Sequence, residues 1–188
     1  MKNIVIVGVG GQGTLLTSRI LGHLTQSAGY DVKLSEVHGM AQRGGSVVTY
    51  VRYGDKVYEP IVEEGQADIL IAFEKLEAFR YAHYIKEDGV IIINNIKLPP
   101  MPVMLGTAKY PRHIIETLST KHRVRATRAT DLAIEMGNPK VFNLIILGLL
   151  SKELDFSEED WHQAIEACVP YHTIDINRDA FHRGRNIA

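Results

Sequence analysis

The side chains with the most chemistry to offer fall in residues 36–46, EVHGMAQRGGS. His38 can donate to a ligand or move a proton near neutral pH. Arg43 can hold a phosphate or carboxylate through two parallel hydrogen bonds. Gln42 adds an amide, and Gly39, Gly44, Gly45 and Ser46 let backbone come close to whatever is bound. A surface loop whose glycines only make turns is the alternative, but such a loop needs no comparable density of donors. An earlier group stands at residues 8–13, where Gly8, Gly10 and Gly13 fall on the G-x-G-x-x-G spacing with Gly11 and Gln12 between them. Glycines so placed permit a tight turn, admit backbone N–H groups to an anion, and set a helix N-terminus beneath it. The spacing is common, and a tightly packed βα turn explains it equally well. Glu36 lies 23 residues beyond Gly13, near where a dinucleotide-binding fold keeps its ribose-binding acid, and is weighed as a cofactor ligand on that ground.

These residues need elements to position them. Ile4, Val5, Ile6 and Val7 form an unbroken β-branched run, the mark of a strand buried on both faces. Residues 14–28 follow as a helix, with Leu15, Leu16, Ile20 and Leu24 at helical spacing, and residues 31–37 read as a second strand with Val32 and Leu34 on one face. Both polar loops thus follow strands, and in an open α/β sheet ligands bind beyond the carboxyl ends of strands. Residues 47–53 predict a strand, Gly54-Asp55 a turn, and residues 56–59 its antiparallel partner, which makes the sheet mixed. Strands follow at 68–73 and 89–94, separated by an amphipathic helix over 75–84 that leaves Glu77 and Arg80 to solvent. Pro99, Pro100 and Pro102 exclude helix from their segment. Pro111 starts a helix to Thr120, and residues 124–127 return as a short strand.

The last third is helical in pattern. Thr130 or Asp131 caps a helix to Met136 closed by Gly137, and a second helix runs from Lys140 to Leu154. That helix is apolar on nearly every side, so it lies deep in a core or against another protein. Ser157 caps an acidic first turn, with Trp161, Ile165 and Val169 as the buried stripe, and the tail makes one more helix anchored by Phe181. The expected architecture is one α/β domain over residues 1–188, a three-layer α/β/α Rossmann-like fold with a mixed sheet and a helical C-terminal third.

Composition bounds what this domain does. A chain of 188 residues, 45% hydrophobic and 23% charged with a formal charge of −1, is ordinary for a soluble domain and poor for a nucleic-acid binder. Its longest apolar run, 144–150, falls well short of the roughly 20 residues a membrane span needs. Met1-Lys2-Asn3 leads directly into a strand, so no leader is expected and the expected location is cytoplasmic. The one cysteine, Cys168, excludes an iron–sulfur cluster, which generally takes about four thiolates. It lies in a helical pattern with Ile165 and Val169, where a structural thiol is expected. His83, His113, His122 and His162 have ordinary charged neighbours and read as solvated, and His172 and His182 read as too isolated for a metal site.

Three motifs together narrow the field. GVGGQG after the first strand, EVHGMAQRGGSV after the second and GNPKVFNLIILG opening the late helix occur in this order along essentially the whole chain. The chain resembles the small, gamma-type subunits of the thiamine-dependent 2-oxoacid:ferredoxin oxidoreductases, and its HGMAQRGG form is most like the indolepyruvate branch. The resemblance implies oxidative decarboxylation of a 2-oxoacid to an acyl-CoA and CO2, with electrons passing to ferredoxin. It also implies that thiamine diphosphate, magnesium and iron–sulfur clusters sit on a large alpha subunit. This chain would complete the site, with coenzyme A as co-substrate, and would be inactive alone. Two other readings stand beside it: a free-standing NAD(P)-dependent dehydrogenase built on Gly8, Gly10, Gly13 and Glu36, and a non-enzymatic nucleotide- or CoA-binding module. Separately, the all-round apolar helix over 142–150 and the aromatics of the tail predict that the isolated chain self-associates as a homodimer or aggregates.

Overall fold

The computed structural model describes residues 1–38 and 44–187. A six-stranded sheet runs through the domain in the order β2-β3-β1-β4-β5-β6. Its strands are β1 (Lys2–Val9), β2 (Asp31–His38), β3 (Ser46–Gly54), β4 (Ala67–Ala72), β5 (Ile85–Asn94) and β6 (Arg123–Thr127). β1, β4, β5 and β6 are parallel, whereas β3 is antiparallel to both of its neighbours, β1 and β2. The sheet is mixed, as the sequence predicts, but by a different pairing. Residues 56–59 form no strand, and Gly54-Asp55 closes no hairpin. β3 is instead satisfied on both edges. The Val57 N–H goes to the Asp31 carboxylate at 2.9 Å, and the Ile61 carbonyl accepts from Arg52 at 2.8 Å.

Side-chain alternation along the central strands builds two cores, one per face. Ile4, Ile6, Ile69, Ile71, Val90 and Ile92 pack beneath α1 (Thr14–Ser27) and the C-terminal helices. Val5, Val7, Leu70, Ala72, Ile91 and Ile93 pack beneath α2 (Lys75–Tyr81) and α4 (Ile114–Ser119). Helix, sheet and helix thus make the three layers expected.

The C-terminal layer is α5 (Ala129–Glu135), α6 (Phe142–Leu150), α7 (Glu158–Cys168) and α8 (Ile174–Arg185). Every residue of α6 is buried within this chain, so its all-round apolar character is answered by intramolecular packing and gives no reason for self-association. α6 crosses α8 at two glycines. A Cβ on Gly148 would meet the Phe181 carbonyl, and one on Gly184 the Ile145 carbonyl, so the two backbones touch where neither residue has a side chain. α7 starts with a full capping box between Ser157 and Asp160.

Several local expectations are corrected. A short helix, α3 (Met101–Met104), forms in the proline segment, because Pro102 sits in its first turn, where the missing N–H has no intrahelical partner to lose. The helix after Pro111 begins only at Ile114, after His113 at φ 56°. The helix expected over 75–84 ends as α at Tyr81 and tightens into a 3₁₀ turn. That over 140–154 is α6 flanked by two 3₁₀ turns. Thr130 and Asp131 lie inside α5, whose N-cap is Arg128. Leu15 and Leu34 are exposed rather than buried.

Candidate functional site

The carboxyl ends of β1, β2, β4, β5 and β6 all lie at one end of the sheet, because β1 and β2 are each antiparallel to the β3 between them. The two polar loops of the sequence therefore emerge side by side. The Gly10 N–H donates to the Gly45 carbonyl at 2.9 Å, joining the glycine loop to the end of the second loop.

The glycine loop is held by its own atoms. Gln12 folds back, so that its Oε1 accepts the Val9 N–H at 2.7 Å and its Nε2 donates to the Phe73 carbonyl at 3.2 Å. The Gln12 N–H donates to the Val9 carbonyl at 3.1 Å. A Cβ on Gly8 would meet Gln12 Oε1 at 2.9 Å and Phe73 Cβ at 3.2 Å, so Gly8 is required by close packing. Gly13 caps α1 at φ 87°, and a Cβ there would meet Asn143 Nδ2 at 2.7 Å. Gly11 also has positive φ, with no neighbour within 4 Å of an added Cβ. The amides of Val9, Gly10 and Gln12 are thus engaged within the protein, and the loop acts first as a clamp on its neighbour.

Ser46 anchors the other side of that clamp. Its hydroxyl donates to Glu77 Oε2 at 2.5 Å and lies 3.2 Å from the Tyr81 hydroxyl. Glu77 was expected at the solvent face of its helix, yet it is buried, with Arg80 paired to its other oxygen at 2.7 Å. Glu36 is half-buried on β2, opposite Thr49, which in turn lies opposite Ile6 of β1. β3 therefore separates Glu36 from the strand that carries the glycine loop. A dinucleotide fold has no such inserted antiparallel strand between these two positions. The backbone of His38 ends β2 opposite Val47. Gln42 and Arg43 lie outside the described residues, as does the side chain of His38.

Further residues at this end carried no sequence signal. Asn94, fully buried, donates to the Phe73 carbonyl at 3.2 Å and to the Thr130 hydroxyl at 2.9 Å. Phe73 O thus receives both Gln12 and Asn94, tying the ends of β1, β4 and β5 together. Glu74, also buried, caps α2 through the Leu76 and Glu77 N–H groups and accepts the Tyr110 hydroxyl at 2.5 Å. Burial, and then that bond to Glu74, pushes the Tyr110 hydroxyl pKa up. Beside them a cavity of about 830 Å³ opens, with Lys75, Lys97, Lys109, Arg112 and His113 facing one acid, Glu116.

The donor set does not fit the metallocofactors of 2-oxoacid oxidation. Cys168 is half-buried on α7, and burial raises its thiol pKa, the reverse of what a thiolate ligand needs. A single thiol cannot hold an iron–sulfur cluster. Asp88 is exposed and paired with Lys86, while Asn94 is committed to Phe73 and Thr130, so the two do not converge on a magnesium diphosphate. On the far helices the structure does bring together two histidines read as unremarkable. His162 Nε2 lies 3.0 Å from His182 Nε2.

The family model for pyruvate ferredoxin/flavodoxin oxidoreductase matches residues 3–187. The chain is 43% identical to the indolepyruvate oxidoreductase subunit IorB of Thermococcus kodakarensis over 97% of this chain and 93% of that one. It is 42% identical to the subunit of the same name from Pyrococcus horikoshii, again over 97% and 93%. Among solved structures it superposes with a TM-score of 0.73 on the gamma subunit of a keto/oxoacid ferredoxin oxidoreductase from Geobacter sulfurreducens, at 24% identity and covering 98% and 96% of the two chains. A match over nearly the full length of the chain places it in the pyruvate ferredoxin/flavodoxin oxidoreductase family.

Proposed function

We propose that this chain is the small subunit of an indolepyruvate-type 2-oxoacid:ferredoxin oxidoreductase and that it completes the active site of a large partner subunit. The partner holds thiamine diphosphate, magnesium and iron–sulfur clusters, and ferredoxin takes the electrons. Bound to the partner, thiamine diphosphate supplies the carbanion chemistry of decarboxylation. What this chain adds is enclosure and charge. The observation that carries the reading is the bond from Gly10 to the Gly45 carbonyl, which joins the glycine loop to the end of the Glu36–Ser46 loop.

That surface faces the partner's thiamine site. Arg43, with its guanidinium fork, meets the carboxylate of the 2-oxoacid or a phosphate of coenzyme A. His38 and Gln42 supply further donors beside it. The basic lining of the neighbouring cavity, from Lys75 to Arg112, keeps this end of the sheet attractive to anions. Enclosing the partner's site would exclude water from the chemistry that the cofactor would supply there.

A free-standing NAD(P) dehydrogenase fits less well. β3 removes Glu36 from the glycine loop, and three amides of that loop are already engaged. Co-expression with the large subunit tests the assignment. Turnover of indolepyruvate with coenzyme A and an electron acceptor is expected from the complex and from neither chain alone. Full turnover by the large subunit alone, or saturable NADH binding by this chain alone, would overturn it.

A further inference from the structure

α7 and α8 present three metal-binding side chains to one another. Glu158 and His162 are four residues apart on α7 and so share a face. His182 comes from α8. One donor atom from each residue lies within 4.8 Å of the other two. His162 Nε2 is 3.0 Å from His182 Nε2 and 3.9 Å from Glu158 Oε1. Donors bound to one tetrahedral zinc-class ion at 2.0–2.1 Å stand roughly 3.3 Å apart, so separations of up to 4.8 Å close on an ion through side-chain adjustment.

We propose that Glu158, His162 and His182 bind a divalent transition-metal ion of the zinc class, which pins α7 to α8. Two imidazoles and a carboxylate suit such an ion rather than calcium or magnesium, and they leave a fourth position for water. The surroundings already hold the ligands in place. Arg185 approaches Glu158 Oε2 at 3.6 Å while donating to the Ser151 hydroxyl at 2.8 Å, so Oε2 is occupied and Oε1 turns toward the histidines. This is how supporting groups orient metal-bound carboxylates. The Phe181 ring stands edge-on to His162, with centroids 6.2 Å apart, and fixes its plane.

Without metal, the same geometry is an imidazole–imidazole hydrogen bond beside an ion pair. Calorimetric titration of the untagged, chelator-stripped full chain with zinc chloride separates the two. The expected result is saturable binding of one ion per chain, with a rise in melting temperature that chelator reverses. His182→Gln and Glu158→Gln, both at partly exposed positions, should each weaken binding at least about tenfold. Cobalt(II) should give the visible spectrum of a low-coordinate nitrogen and oxygen site in the parent chain and lose it in both variants. No saturable zinc binding, or zinc binding unchanged in a folded His182→Gln or Glu158→Gln chain, would overturn the proposal.

Discussion

The Ser46 hydroxyl lies 2.5 Å from a carboxylate oxygen of Glu77, a residue buried under the opposite face of the sheet from α1. Through this bond the first residue of β3, and with it the end of the Glu36–Ser46 loop, is fixed to α2. The Gly10–Gly45 bond then fixes the glycine loop to the same point.

Removing the hydroxyl should therefore cost stability. Hydrogen bonds to charged groups contribute about 1.5–3 kcal/mol, and Ser46→Ala leaves the buried Glu77 carboxylate with Arg80. A loss of that size is expected in the urea midpoint at constant slope. Glu77→Gln keeps an acceptor for Ser46 and should lose less. Equal, negligible losses in both would show that the bond does not hold the start of β3 to α2.

The α6–α8 crossing should tolerate no side chain at its two glycines. Gly148→Ala and Gly184→Ala each drive a Cβ into a neighbouring backbone carbonyl, which cannot rotate away. Overpacking of this kind typically costs about 1–3 kcal/mol, and backbone against backbone stands at the upper end. Gly22→Ala is the matched comparison, since its Cβ would meet only the end of the exposed Leu34 side chain, at 3.1 Å. There the gain in helix propensity of about 1 kcal/mol offsets the contact. Differential scanning calorimetry should rank Gly22→Ala well above the other two, and the opposite order would refute the crossing.

Asp31 should carry part of the acid sensitivity of the fold. The Val57 N–H and then Lys33 lower its carboxyl pKa below the ordinary 3.8. The unfolded chain then takes up the proton first as pH falls. The stabilisation is complete above pH 3.8 and is lost as pH drops through the lower, folded value. Asp31→Asn should thus be less stable than the parent at neutral pH, and the gap should narrow in acid. A gap that stays constant across an acid titration, followed by circular dichroism, would contradict this.

Much of this fold is legible in the sequence wherever burial is complete on both sides. Residues 4–7 and 90–93 are apolar at every position, and they form strands sealed by helices on both faces. α6, apolar all round, proves to be buried all round. Misreadings fall where a distant partner decides. Residues 47–53 were paired with the nearest polar stretch, because nothing local records that β3 is taken by β1 on one edge and β2 on the other. Glu77 sits at a solvent-like position of its helix, and only Ser46, 31 residues away, explains its burial. His162 and His182 meet from different helices, so sequence spacing gives them no signal. Of the site, the two loops were visible from glycines and donors, whereas Asn94, Glu74 and the Phe73 carbonyl that bind the strand ends together were not.

Steady-state kinetics of Arg43→Ala in the assembled complex tests the central claim most directly. If the joined loops face the thiamine site and Arg43 holds the oxoacid carboxylate or a coenzyme A phosphate, its loss removes a charge-assisted contact worth about 1.5–3 kcal/mol. The account predicts a fall of roughly tenfold to hundredfold in kcat/KM for indolepyruvate or coenzyme A, with subunit association unchanged by gel filtration. An Arg43→Ala complex that assembles normally and turns over both substrates at the parent rate and KM would contradict it.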